Sequence, residues 1–191
     1  PHFLSNNIHS QRCAILCFTE THCKRRSHSS IEELLPMWKD VHAYTEHGLA
    51  ICYNAEIVSL LRTFEISNDL QLLPLLLQIR TEVVLVLLLY RKPGPIGNFI
   101  ETLTSEVYAI QETIHIEHRT ILLGDFNLDQ HLTSNAALLT PLVQQLNLYM
   151  RSKYSTHNLG GILDLVMDTS SSQPISWCPS PFSDHFSLFF E

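Results

Sequence analysis

The chain is short of paired cysteines, of basic residues and of long apolar runs, and each shortage narrows what it can be. Its five cysteines, at 13, 17, 23, 52 and 178, are odd in number and form no CxxC pair. Neither a disulfide framework nor a zinc site is expected; they read as reduced, mostly buried thiols. Cys17, His22, Cys23 and His28 lie close in sequence, but their spacings match no usual zinc set. The longest strongly apolar stretch, Val83 to Leu89, falls far short of the roughly 20 residues a membrane helix needs. No charged-then-apolar leader opens the sequence, so an intracellular protein, nuclear or cytoplasmic and away from membranes, is expected. Nineteen acidic against twelve basic residues give a net charge of -7. That is the wrong sign for gripping DNA through charge alone, although it does not exclude a nuclease whose acids hold a divalent cation. The small basic clusters, Lys24-Arg25-Arg26, Arg91-Lys92 and Arg151 with Lys153, read as solvated surface.

What is present is a folded α/β pattern. A chain of 191 residues with 45% hydrophobic and 16% charged content is long enough for one sizeable core and too apolar for disorder. It carries no internal repeat or low-complexity tract. Near-continuous apolar runs predict strands at Ala14–Phe18, Leu49–Tyr53, Val83–Tyr90, Thr120–Gly124, Ile162–Met167 and Phe186–Phe190. Such runs fit strands covered on both faces. After the breaker "KPGPIG", Ile100, Leu103, Val107, Ile110 and Ile114 recur at helical spacing, with Asn98 and Glu101 placed for a capping box. A second helix is predicted from about Asn135 to Leu146, burying Leu138, Leu139, Leu142, Val143 and Leu146. A short one starts at Ser30 with Glu33 as its reciprocal cap. Asp69 to Leu77 is ambiguous, because Pro74 interrupts either a strand or a helix.

The polar residues fall at the joints. "ILCFTE" delivers Glu20 and "VLLLYRKPG" delivers Tyr90. "ILLGDFN" ends in Asp125 and Asn127, "GGILDLVMD" carries Asp164 inside its strand, and "SPFSDHFSLFF" presents Asp184 and His185. One polar strand end is ordinary; an ordered series of them is a constellation.

On these motifs, "CFTETH", "LYRKPG", "LLGDFNLD", "GGILDLV" and "SDHFSLFF", the chain resembles the endonuclease/exonuclease/phosphatase superfamily. GDFN followed by a late SDH is the most specific part. The wording "YSTHNLGGILDLV" with "PSPFSDH" looks closest to endonuclease domains of mobile elements, of the LINE or Helitron (Helentron) kind. The resemblance implies a four-layer α/β sandwich, two packed mixed β-sheets flanked by helices as in DNase I, with residues 1–191 as one such domain. It implies a Mg2+-dependent phosphodiesterase, Mn2+ being the alternative ion, that nicks DNA. A helicase or reverse transcriptase of the element is the implied fused or associated partner. Glu20 becomes the metal ligand, with Asp184 as metal-binding or orienting. Asp125 activates or orients the attacking water, while Asn127, Tyr90 and His185 hold the phosphate. Asp164 pairs with His185, and Phe126 faces the core. Asp129 reads as a turn residue, and Asn158 as a weaker contact to DNA or phosphate.

One departure stands out. Family members open with a strand that ends in an Asn and is followed by a helix, yet only nineteen residues precede Glu20 here. Asn6 and Asn7 are too close to Glu20 to leave room for both, so a missing first strand, and with it reduced activity, is expected. The region from Trp38 to Gly48 is short as well. Two alternatives remain on these grounds: a phosphatase or phospholipid phosphodiesterase on the same scaffold, and a catalytically silent transposon relic.

Overall fold

The strand Glu82–Tyr90 is apolar on both sides because both sides are covered. In the computed structural model, which describes residues 14–22, 35–43, 45–66, 70–170, 175–180 and 183–189, Leu85, Leu87 and Leu89 face one core. There they meet Leu103, Val107 and Ile110 of one helix and Leu139, Leu142 and Leu146 of another. Val84, Val86, Leu88 and Tyr90 point the other way, against Leu49, Ile51 and Tyr53 of a second sheet. Side chains alternate along a strand, so two cores turn the usual alternation into a continuous run.

The elements, in chain order, are β1 (Ile15–Thr19), β2 (Trp38–Ala43), β3 (Leu49–Asn54), β4 (Val58–Thr63), β5 (Gln71–Ile79), β6 (Glu82–Tyr90), α1 (Phe99–Glu112), β7 (Arg119–Asp125), α2 (Thr133–Gln145), β8 (Tyr149–Met150), β9 (Asp164–Asp168), β10 (Ser176–Pro179) and β11 (Phe186–Phe189). A six-stranded mixed sheet runs β4-β5-β6-β7-β9-β8, with β6 and β7 parallel across the α1 crossover. It packs on the antiparallel sheet β1-β3-β2, and the hairpin β10-β11 sends Leu188 into the core between them. This is the expected layered sandwich of packed β-sheets with helices outside. Among the described residues, no helix is long and apolar enough to cross a membrane.

Local readings need several corrections. Asn98 stands at the α1 N-cap, but its side chain makes no capping bond, because its φ of -94° and ψ of 14° are not the extended conformation a cap needs. Leu138 is exposed; Leu139, Leu142 and Leu146 occupy the inward stripe of α2, and Leu138 is turned about 100° away from it. Pro74 lies inside β5, where it is tolerated because β4 pairs only as far as Leu75, leaving β6 as the one neighbour at that point. Asp164 opens β9 rather than sitting inside it. The helix expected at Ser30, its cap Glu33, and Asn6, Asn7, Cys23 and His28 lie outside the described residues.

Candidate active site

The site begins with register. Tyr90 at the end of β6 stands opposite Asp125 at the end of β7, and Asp125 stands opposite Asp164 at the start of β9. Residues in register on neighbouring strands share a face, so a phenol and two carboxylates form one row at the rim of the inter-sheet core. Gly124 makes that row possible. Its φ is 134°, and a Cβ there would sit 1.9 Å from the Leu89 carbonyl oxygen; only glycine lets β7 come this close to β6.

Asp125 is 2% exposed. The turn after β7 folds back on it: Asn127 N–H donates to Oδ1 at 2.8 Å and Asn127 Nδ2 to Oδ2 at 2.9 Å. Nδ2 also donates to the Arg91 carbonyl at 2.8 Å, so both amide hydrogens are engaged. Asn127 reaches this position through a φ of 47°, a left-handed conformation that asparagine tolerates. Phe126 is fully buried, as expected. Burial first, then the Asp164 charge, pushes the Asp125 carboxyl up to about 7; Glu20 adds to this, while the Asn127 N–H and His185 oppose it.

From the other sheet, Glu20 follows β1 at a φ of 52° and accepts a bond from the Tyr90 hydroxyl at 2.9 Å. Burial foremost, and then Glu20, raise the Tyr90 hydroxyl well above its ordinary range. The His47 ring lies tilted against Tyr90, centroids 4.7 Å apart.

The last members come from the C-terminal segment. His185 Nδ1 meets Asp164 Oδ2 at 2.7 Å. That bond is the main reason the imidazole is raised to about 9, against the pull of burial. Thr156 Oγ1 accepts from the N–H groups of Leu163 and Asp164, both at 2.9 Å, which fixes where Asp164 starts its strand. Asp184 is exposed and is held below the usual carboxylate range, by its own backbone N–H first and His157 second. Asp129 accepts the His131 N–H at 3.1 Å, as a turn residue does, and also the Ile162 N–H at 3.1 Å, which ties the turn to the segment before β9. Asn158 is exposed, and its backbone N–H is bound to the Asp184 carbonyl at 2.8 Å.

Asp125, Asp164 and His185 thus come together with Tyr90 and Glu20. Among the described residues, the groups that bring three ligand atoms within 4.8 Å are Asp125/Asp164/His185 and His157/Asp184/His185. Glu20 belongs to neither. The donor chemistry nevertheless fits a hard divalent cation: Glu20 and Asp164 are near enough for their charges to raise Asp125, and carboxylate oxygens are what Mg2+ and Mn2+ take.

Arg91 corrects the surface reading of its cluster, being 5% exposed. Its guanidinium binds the carbonyls of Gly94 and Asn127, the latter at 3.2 Å, and its N–H donates to Asp125 O at 2.8 Å. Lys92 beside it remains exposed with Glu46. Sequence reading gives Thr156 and His157 no role, and Arg91 only that of solvated surface. The available signal was a basic residue directly after a fully apolar strand, and a Thr-His pair just before "NLGG".

The model for the Endonuclease/Exonuclease/phosphatase family matches residues 2–185. No curated protein matches the chain. Solved structures share its fold at low identity. An AP endonuclease from Archaeoglobus fulgidus is 15% identical with a TM-score of 0.73, over 100% of this chain and 93% of that one. The 3′ phosphatase NExo from Neisseria, bound to a product DNA hairpin, is 14% identical with a TM-score of 0.76, over 100% and 93%. The endonuclease domain of TRAS1, a telomere-specific non-LTR retrotransposon, is 14% identical with a TM-score of 0.68, over 98% and 88%.

Proposed function

Because the chain belongs to the Endonuclease/Exonuclease/phosphatase family, whose members hydrolyse phosphate esters, we propose that it is a divalent-metal-dependent phosphodiesterase that nicks DNA for a mobile element. The observation that carries the reading is the pairing of a buried carboxylate raised to about 7 with an imidazole raised to about 9, both flanking Asp164. Between those values one group accepts a proton while the other carries a positive charge, which is what hydrolysis of an anionic ester needs.

In this reading a water oxygen attacks phosphorus, and its proton passes to the Asp125 carboxylate. The bond to the leaving oxygen breaks as the new one forms, and that oxygen takes a proton from solvent. His185, cationic through Asp164, faces the phosphoryl oxygens and stabilises the charge developing there. Asn127 orients Asp125, both of its amide hydrogens being spent on Asp125 and Arg91. Tyr90, buried against His47, holds Glu20 through its hydroxyl. Glu20 and Asp184 would hold the Mg2+ or Mn2+, which when bound supplies positive charge to the phosphoryl oxygens. The likeness to the TRAS1 domain and to an AP endonuclease favours DNA as substrate. The motif wording favours a mobile element, with a helicase or reverse transcriptase as partner.

The likeness to a 3′ phosphatase supports a second reading, a phosphomonoesterase. Supercoiled plasmid incubated with purified protein and Mg2+, Mn2+ or EDTA separates them, beside Asp125→Ala and His185→Ala. Metal-dependent nicking lost in both variants is the expected result. Turnover of a phosphomonoester without nicking selects the second reading, and no turnover by folded protein selects a silent relic.

A further inference from the structure

The SDH turn carries a second histidine–carboxylate pair, whose histidine has no part in the reaction above. His157 Nε2 and Asp184 Oδ2 lie 3.2 Å apart, and the His157 and His185 rings meet edge to face at 4.9 Å. The two pairs are crossed: the segment from Thr156 to Asp164 supplies a histidine to Asp184 and a carboxylate to His185. Backbone bonds fix the crossing, with Asn158 N–H donating to Asp184 O at 2.8 Å and Phe186 N–H to Thr156 O at 2.7 Å.

Since the ligand atoms of His157, Asp184 and His185 lie within 4.8 Å, a metal is the first occupant to weigh. The ring tautomer decides against it. Leu159 N–H donates to His157 Nδ1 at 3.1 Å, so Nδ1 is the acceptor and the neutral ring carries its proton on Nε2. A metal on Nε2 would require that proton on Nδ1, where it would collide with the Leu159 N–H. Nε2–H is a donor, and Asp184 Oδ2 is the acceptor within reach.

We infer that His157 is a positioning residue of the hydrolytic site: its Nε2–H holds the Asp184 carboxylate in one orientation beside the His185 ring. The inference rests on the hydrolase reading given above. Asp184 is exposed on its turn, so without His157 its carboxylate samples several rotamers. With one oxygen fixed, the other stays available to cation or substrate.

The test uses the whole chain with His157→Ala and His157→Gln, the glutamine amide carrying a donor close to where Nε2 sits. In plasmid nicking, His157→Ala is expected to lower kcat roughly ten- to hundredfold, with KM little changed. His157→Gln is expected to recover most of that loss. Wild-type rates in His157→Ala, or equal losses in both variants, overturn the inference. A readout without turnover is the 15N spectrum of the His157 ring, expected to show a protonated Nε2 and a bare Nδ1. A ring protonated on Nδ1 overturns it too. If the wild-type chain cleaves neither plasmid nor phosphomonoester, the hydrolase reading fails, and the ring spectrum still decides the His157 contact.

Discussion

Replacing Asp125 by Asn should remove activity and, above neutral pH, make the protein more stable. The Asp125 carboxyl is 2% exposed and titrates near 7 against an ordinary 3.8. A folded-state pKa raised in this way gives a stability contribution fully present below about pH 4 and lost progressively as pH climbs to about 7. At roughly 1.4 kcal/mol per pH unit, the ionised side chain costs the fold about 4 kcal/mol by pH 8. Asparagine removes that charge and keeps an oxygen for the Asn127 N–H. It turns the other position into a donor facing Asn127 Nδ2, losing a bond worth about 1–2 kcal/mol. The expected net gain at pH 8 is about 2 kcal/mol, shrinking and then reversing towards pH 4. Urea unfolding of both proteins in EDTA, from pH 4.5 to 8, measures the difference, and titrations of groups remote from Asp125 cancel. A wild-type minus variant difference that stays flat across that range refutes the argument, because the carboxyl would then not be raised.

The pH–rate profile should rise through about 7 as Asp125 ionises and fall through about 9 as His185 loses its proton; Asp164→Asn should move both limbs to lower pH, since Asp164 raises both groups, read by initial rates between about pH 5 and 10. Gly124→Ala should cost more than about 3 kcal/mol, since its Cβ would meet the Leu89 backbone at a φ of 134°, and a lowered urea midpoint checks it. Asp168→Ala should cost about 3 kcal/mol by removing the main partner of Arg119, whose Nε is 3.0 Å from Asp168 Oδ1 and whose guanidinium then keeps Glu82, 3.8 Å away. Asp168→Asn should recover part of that in the same unfolding assay.

How much was legible in the sequence depended on how many neighbours an element has. Strands β6, β7 and β9 announced themselves because both faces are covered, and apolar runs need no periodicity to be seen. Strands β2 and β4 went unread. Edge strand β4 buries only Val58, with the rest of its residues exposed, and β2 interleaves Lys39, Asp40 and His42 with its apolar positions. At the site, Asp125, Asp164 and His185 were found from motifs, and their convergence followed from register that no motif states. His157 escaped notice because its role comes from a hydrogen bond to a residue 27 positions away. Arg91 escaped because a basic pair after a strand reads as surface until the turn it ties down is known.

That Arg91 tie has a consequence for how the fold accepts change. Its N–H and guanidinium bind the carbonyls of Asp125 and Asn127, and its own carbonyl receives the Asn127 amide. The exits of β6 and β7 are therefore laced to each other directly, and the Arg91 guanidinium also lies over the Phe99 ring at the start of α1, 5.5 Å from its centroid. A loop lengthened just beyond Gly94 would therefore still leave from a β6 exit that is fixed to β7.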